Sequence, residues 1–288
     1  MILLFKHKMK YFLILCCLIQ GRLIFSESIL GNHSAYLDIC LNASQSNIFF
    51  NNFRSLNDYK GTVECGSEKS DIFYDFLLKN ASADTKSHFA EFETLDIIGN
   101  PDKKNYQELK NISATTLRYI IFTDHMQKLF NLNNTAHIVE IGAGFGGQCF
   151  VLSKLEAFNS YTIYDLPVVQ ELIKKVISKL GISGVSCMPI NNIDQTSQID
   201  LVISNYAFSE CSRDIQLDYF EKVLKRAVRG YIVYNSISSI FNINSLSCDE
   251  FVCLLRKNGI NAEVIDEFIP TQLDEIKSNK IIYWDKSN

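Results

Sequence analysis

The stretch HIVEIGAGFGGQC, His137 to Cys149, decides how the rest of the chain is read. An apolar run leads into Glu140, and four glycines then fall within six positions: Gly142, Gly144, Gly146 and Gly147. A strand ending in such a turn lets a phosphate or a ribose come close to the backbone, because glycine accepts positive φ and carries no Cβ. Gly142, Gly144 and Gly147 by themselves satisfy G-x-G-x-x-G, the dinucleotide spacing. Which nucleotide the loop holds depends on what surrounds it.

Downstream the pattern is regular. Apolar runs of strand length are HIVEI (137–141), YTIYD (161–165), VSCMPI (185–190), DLVIS (200–204), GYIVYN (230–235), NAEVID (261–266) and KIIYW (280–284). Helical stretches such as VVQELIKKVISKL and DIQLDYFEKVLKRAV separate the earlier ones. In the second, Ile215, Tyr219, Val223 and Leu224 share one face, with Ser212 at the N-cap position. Gly181 and Gly259 follow helical runs, as C-terminal glycines do. Strand alternating with helix predicts an α/β fold whose parallel sheet is covered on both sides. No helix-length pattern separates the last two runs, which predicts an antiparallel pair at one edge.

Upstream, residues 45–134 show no such alternation and read as a mainly helical extension. SDIFYDFLLKN (70–80) and SATTLRYIIFTDHMQKLF (113–130) are its clearest helices, broken by the turn signal IIGNPDKKN. Such an extension either closes over the active site or forms a homodimer surface. Residues 1–26 differ again: Lys6, His7, Lys8 and Lys10 precede the apolar run YFLILCCLI. That run is shorter than the ~20 apolar residues a spanning helix needs. It reads as a signal-like leader or membrane-touching segment, or else as an over-extended start with the domain beginning later. Nothing before about Gln45 is expected to be needed for folding. The organisation is therefore leader (1–26), helical extension or lid (45–134) and nucleotide-binding domain (135–288).

Composition is that of a globular protein, 47% hydrophobic and 21% charged, with a formal net charge of −4 over 288 residues. Lys and Arg are dispersed, so no basic stripe argues for nucleic acid. The nine cysteines include no C-x-x-C pair, and several sit in apolar segments, which favours a reducing compartment. Sequons at Asn32, Asn42, Asn80, Asn111 and Asn133 pull toward secretion. In a chain this rich in Asn and Ser they decide little.

Three features separate S-adenosylmethionine (SAM) from NAD as the ligand of the loop. Glu140 precedes the first glycine by two residues, where a carboxylate can hold the amino end of methionine through water and a dinucleotide fold usually has an apolar residue. Asp165 ends the next strand, where an acid accepts both ribose hydroxyls; NAD and SAM share these, so it marks a nucleoside without choosing between them. Asn205 ends a fourth strand, DLVISN, placing its backbone and amide beside the methionine part. With Gly142, Gly144 and Gly146 these residues form the expected cofactor site.

The sequence resembles the class I SAM-dependent methyltransferases, and more narrowly the sugar O-methyltransferase family of bacterial polysaccharide loci. The segments that carry the resemblance are FRSLNDY (53–59), LDIIGNP (95–101), TTLRYI (115–120), VEIGAGFGGQC (139–149), YTIYDLPVVQEL (161–172), SNYAFSE (204–210), RGYIVYN (229–235) and PT (270–271) before NKIIYW. The resemblance implies a Rossmann-like, mostly parallel sheet with an antiparallel edge pair, SAM as cofactor, and a sugar or glycan hydroxyl as acceptor. The leader departs from it, since SAM is a cytosolic cofactor; cytoplasmic, membrane-associated and secreted placements all stay open.

Methyl transfer to a hydroxyl needs the acceptor oxygen aligned with the sulfonium methyl and a base for its proton. Glu210, just past the fourth strand, is the first candidate; as a bare sequence feature it is equally a charge favourable to a helix N-terminus. His125 is the second, with Asp124 able to fix its tautomer, unless the two are a helix-surface pair. Arg118 and Tyr119 are candidates for an acidic sugar or a nucleotide diphosphate, or are structural. No cluster of Asp and His has ligand spacing, so no metal is expected. The rival functions are an NAD-dependent nucleotide-sugar enzyme and a non-catalytic SAM-fold scaffold.

Overall fold

The apolar runs become seven strands, and their lateral order is what builds a ligand edge. The computed structural model describes residues 27–189, 198–240, 242–268 and 279–287. The leader and the Pro270–Thr271 segment lie outside these residues. The strands are β1 (His137–Ile141), β2 (Ser160–Tyr164), β3 (Val185–Met188), β4 (Leu201–Asn205), β5 (Arg229–Tyr234), β6 (Glu263–Asp266) and β7 (Lys280–Asp285), in the order β3-β2-β1-β4-β5-β7-β6. The first five are parallel, and β7 runs antiparallel between β5 and β6. Chain order reverses beside β1, where β2 lies on one flank and β4 on the other, and such a switch point leaves a crevice at the carboxyl ends.

The helices that bear on the cores and the site are α1 (Glu27–Gln45), α2 (Ser70–Asn80), α3 (Ala114–Phe130), α4 (Gly147–Lys154), α5 (Pro167–Leu180), the single turn α6 (Ala207–Glu210), α7 (Arg213–Tyr219) and α8 (Cys248–Lys257). Alternation along the strands divides the apolar side chains between two faces. Ile138, Tyr161, Ile203 and Tyr231 join the core beneath the helical extension, α3, α4 and α5. Val139, Ile141, Val202 and Ile232 join a second core with Phe208, Phe220 and Phe251. The expected face Ile215, Tyr219, Val223 and Leu224 is buried there. Ser212 does occupy the N-cap of α7, but its hydroxyl makes no capping bond. Gly181 ends α5 in the left-handed conformation.

The helical extension starts earlier than the boundary at Gln45. Tyr36, Cys40 and Ala43 of α1 are buried in the first core, and the Lys175 Nζ of α5 donates to the Ala43 and Ser44 carbonyls at the end of α1. A cut at Gln45 would strip this packing, so the expectation that the fold needs nothing before that point is corrected. Among the described residues no helix is long and apolar enough to cross a membrane.

Candidate functional site

The glycine loop is shaped by what crowds it. Gly142, Gly144 and Gly146 all have positive φ. A Cβ on Gly142 would stand 2.1 Å from the Cβ of Ala207, in the turn after β4, so only glycine lets the two strand ends meet this closely. Ser204 Oγ ties the same junction, donating to the Ile141 carbonyl and accepting from the Phe208 amide. Over Gly144 lies a strap from the extension: a Cβ there would be 3.1 Å from Val63 Cγ1. The extension therefore covers the loop, as a lid would.

Asp165 sits where expected, half-buried after β2. Its carboxylate accepts from the Ala143 amide at 2.9 Å and from the Leu166 amide at 2.7 Å. Burial pushes its pKa up to about 7, against the pull of these backbone donors and of Gly144. The acid expected to take ribose hydroxyls thus organises the glycine loop as well.

Glu140, expected to reach the amino end of methionine through water, lies near the end of β1. Its side chain is withdrawn into the core, 1% exposed, and accepts a 2.8 Å bond from the buried Tyr161 hydroxyl. Burial raises its pKa to about 8, opposed by the Tyr161 bond and assisted by the charge of Asp165. At neutral pH it is a buried carboxylic acid beneath the loop rather than a free charge at its surface.

Asn205 ends β4 as expected. Its amide donates to Gln148 Oε1 at 3.0 Å, and the Gln148 amide in turn donates to Thr123 Oγ1 at 2.5 Å. This leaves Asn205 Oδ1 buried with no partner. The next residue, Tyr206, holds φ of 73°, a conformation costly for a non-glycine residue and concentrated at functional sites. Its hydroxyl bonds the Glu267 carboxylate, which also accepts from the Asn279 amide.

Arg118 and Tyr119 part company although they are adjacent. The Arg118 guanidinium lies 5.0 Å from the Tyr206 ring and donates from Nη2 to the Val63 carbonyl at 3.3 Å; its Nε is buried and unpartnered. The Tyr119 ring instead supports the loop from below, so close that a Cβ on Gly147 would stand 2.3 Å from it. That placement removes Tyr119 from any acceptor-binding wall.

The two candidate bases also separate. Glu210, on α6, is buried and accepts a 2.6 Å bond from the Asn235 amide just beyond β5, so it lies at the carboxyl edge of the sheet. Burial raises its pKa to about 8, against the Asn235 bond. His125 is two turns of α3 below Arg118, about 10 Å along the helix. Its Nδ1 is 3.1 Å from the Tyr231 hydroxyl, and its ring packs edge-on against Phe268. Burial pushes its pKa down to about 4, with Lys128 adding and Asp124 opposing. Asp124 does not fix its tautomer, because the Asp124 carboxylate is taken by the Ser82 amide and Lys128. His125 stands over β5 and β7, where its ring meets Tyr231 and Tyr283, away from the glycine loop that follows β1. Among the described residues no group of three or more His, Cys, Asp or Glu could hold a metal ion.

The sequence did not single out Arg54, which fastens the extension to the loop. It is fully buried, holds Glu64 through Nε at 2.7 Å and Nη2 at 3.0 Å, and reaches Asp96 and Ser113. Its guanidinium stands 4.3 Å from the centre of the Phe145 ring, inside the glycine loop. The Arg54 amide bonds the Gly99 carbonyl, which brings FRSLNDY and LDIIGNP together. The one available signal was an arginine next to aromatic residues in a quoted segment.

No protein-family model matches the chain, and no curated protein matches it. Solved structures do. A candidate sarcosine dimethylglycine methyltransferase from Galdieria sulphuraria is 13% identical over 70% of this chain and 98% of its own, with a TM-score of 0.50. An rRNA methylase from Streptococcus thermophilus is 17% identical over 58% of this chain and 94% of its own, with a TM-score of 0.44. At such identity the first of these likenesses is one of fold: the sheet of this chain, with its reversed strand between β5 and β6 and helices on both faces, is the Rossmann-like sheet of the class I methyltransferases.

Proposed function

We propose that this chain is an SAM-dependent O-methyltransferase acting on a hydroxyl of a sugar or glycan precursor. The observation that carries the cofactor half is the pairing of the glycine loop after β1 with Asp165 after β2 in a sheet that reverses at β7. Loop and acid together suit a nucleoside. A dinucleotide fold repeats its mononucleotide half with a parallel strand order 3-2-1-4-5-6, and the antiparallel β7 interrupts that second half here. The similarity in fold to a candidate methyltransferase supports the same choice. The sugar acceptor rests on the resemblance of the quoted segments alone.

SAM supplies a methyl group on a positively charged sulfur, which leaves as a neutral thioether. The protein's work is to hold that group in line with the acceptor oxygen and to receive the hydroxyl proton as the oxygen–carbon bond forms. Glu210 is our candidate for the proton: it lies at the carboxyl edge, and a carboxyl with a pKa near 8 is a stronger base than an ordinary one. His125 is left out by its position.

Titration calorimetry with S-adenosylhomocysteine and with NADH tests the cofactor choice. The expected result is binding of the first and none of the second. Asp165→Ala should then weaken S-adenosylhomocysteine by roughly tenfold or more, since each charge-assisted bond to ribose is worth ~1.5–3 kcal/mol. Binding of NADH without S-adenosylhomocysteine would overturn the proposal.

A further inference from the structure

Asn235, the residue after β5, is buried, and its contacts point its side-chain amide one way. Its backbone amide donates to Ser209 Oγ at 3.1 Å, and that hydroxyl donates onward to the Tyr206 carbonyl at 2.6 Å. Its Oδ1 accepts from the Ile237 amide at 3.2 Å. A backbone N–H can meet only an acceptor, so this bond decides which end of the Asn235 side chain is oxygen. Nδ2 is then the end that faces Glu210, and it donates to Oε1 at 2.6 Å.

The bond grips one oxygen of the carboxyl and leaves the other. Among the described residues no donor holds Glu210 Oε2, and that atom is not sealed from solvent. A carboxyl fixed at one oxygen presents the second in a set direction, which is what a proton acceptor requires. The grip is also neutral. The elements packed on α6 are β4, β5 and the short helix Ile237–Ile240, and neither β4 nor that helix carries a titratable side chain. On β5, Arg229 pairs with Asp285 at the far end, and Tyr231 meets His125 in the other core. Tyr234 bonds Gln216 and the Leu246 carbonyl. Beyond α6, the Cys211 thiol turns to the Ala207 carbonyl, and Arg213 pairs with Glu250. Among the described residues no cation therefore acts on Glu210, and its carboxyl stays basic despite the Asn235 bond. A lysine or arginine in place of Asn235 would hold the carboxylate charged and weaken it as a base.

We propose that Asn235 is the positioning residue for Glu210: it aims the free carboxyl oxygen at the open edge of the sheet and, as a neutral donor, leaves it basic. The inference rests on the reading of Glu210 as the base. Asn235 acts only through that carboxyl. The left-handed backbone of Tyr206 belongs to the same frame, since Ser209 links its carbonyl to the Asn235 amide.

Carbon-13 NMR of the full chain, labelled at the glutamate Cδ, reads the protonation of each carboxyl. Glu210→Gln identifies the Glu210 signal by its loss. In wild type that signal should titrate in a single step at about 8. Asn235→Leu keeps the shape and removes the donor, so the step should move up by about one to two pH units, the worth of one charge-assisted bond. Asn235→Asp keeps an acceptor for the Ile237 amide and sets one carboxyl against another. There the Glu210 signal should titrate in two steps, because the pair shares a proton. Unmoved signals from the remaining glutamates show that either variant is folded. On an acceptor from methyl-transfer screening, the acid limb of the rate in Asn235→Leu should move up with the signal. A midpoint unmoved in Asn235→Leu, or a single unshifted step in Asn235→Asp, would overturn the role of Asn235; loss of turnover in Glu210→Gln would still keep Glu210 as the base. A midpoint that moves while the rate limb stays put would overturn the base reading, and the positioning role with it.

Discussion

Glu140→Gln isolates the cost of keeping a carboxyl inside the sheet. In the unfolded chain a glutamate titrates near 4.3, roughly, whereas burial holds Glu140 at about 8 in the folded protein. Between those values the folded state keeps a proton that the unfolded state has released. The stability contributed by the neutral acid is therefore complete below the unfolded value and is lost as pH rises, until the folded carboxyl itself ionises near 8. The slope is ~1.4 kcal/mol per pH unit, and from near pH 5 to near pH 8 it amounts to about 3–4 kcal/mol. That is a large part of the ~5–15 kcal/mol by which domains are ordinarily stable.

Glutamine keeps an oxygen that accepts from the Tyr161 hydroxyl but has no proton to lose. Asp165 and Glu210, also raised by burial, slope the same way in wild type and variant and so cancel in the comparison. Urea unfolding of both proteins at several pH values from about 5 to about 8 should show the difference moving in favour of Glu140→Gln by that amount, then levelling. A difference flat to within ~0.5 kcal/mol across the range, the usual spread for an uncoupled surface change, would mean that the carboxyl is hydrated in solution. The withdrawn position of Glu140 would then be refuted.

Glu210→Gln should lower turnover by ~10²–10⁴-fold, the ordinary contribution of a general base, with S-adenosylhomocysteine affinity nearly unchanged; the wild-type rate should rise with pH to a plateau above about 8, and that limb should vanish in the variant. Near-normal turnover on an acceptor found by methyl-transfer screening would remove Glu210 from the chemistry. Arg54→Met should destabilise the protein by ~3–5 kcal/mol, because it leaves Glu64 and Asp96 buried without their cation. Urea midpoints read that loss directly, and a cost below ~1 kcal/mol would mean that water replaces the guanidinium.

Strands and helices were legible because their signal is local. Val139 and Ile141 face one core while Ile138 faces the other, and each run carries that alternation within itself. The antiparallel edge pair was legible from the missing helix between NAEVID and KIIYW. What the pattern could not show was that β7 inserts between β5 and β6, since both orders give the same local sequence. Helix α1 was missed for a related reason. Its buried positions Tyr36, Cys40 and Ala43 fall at i, i+4 and i+7, a helical stripe, but two of the three are small, and Leu37, Ile39 and Leu41 fall off the stripe and blur it. The burial of Glu140 was not legible because nothing near it in sequence supplies a partner. Tyr161 does, from the next strand, where it lies opposite Ile138, two residues away on the same face.

The arginines show where sequence reading ends and why. Arg54 and Arg118 both stand beside an aromatic residue in a segment of the extension, and both have the same five donors. Arg54 meets Asp96 at a separation of 42 residues and Ser113 at 59, so its partners come from three turns that only the fold assembles. Once assembled, the network is closed: Asp96 also accepts from the Ser113 amide, and the guanidinium rests on Phe145. A filled fork under the loop stabilises a shape. Arg118 is brought by the same folding to the other side of the loop, where Val63 is its sole hydrogen-bond partner among the described residues and Asn205 Oδ1 has none. An unfilled fork on α3 and an unfilled acceptor at the end of β4 are arrangements that packing alone would not favour, since each orphan costs ~1–3 kcal/mol. The two residues have one chemistry, and they differ in how far the folded chain has already satisfied it.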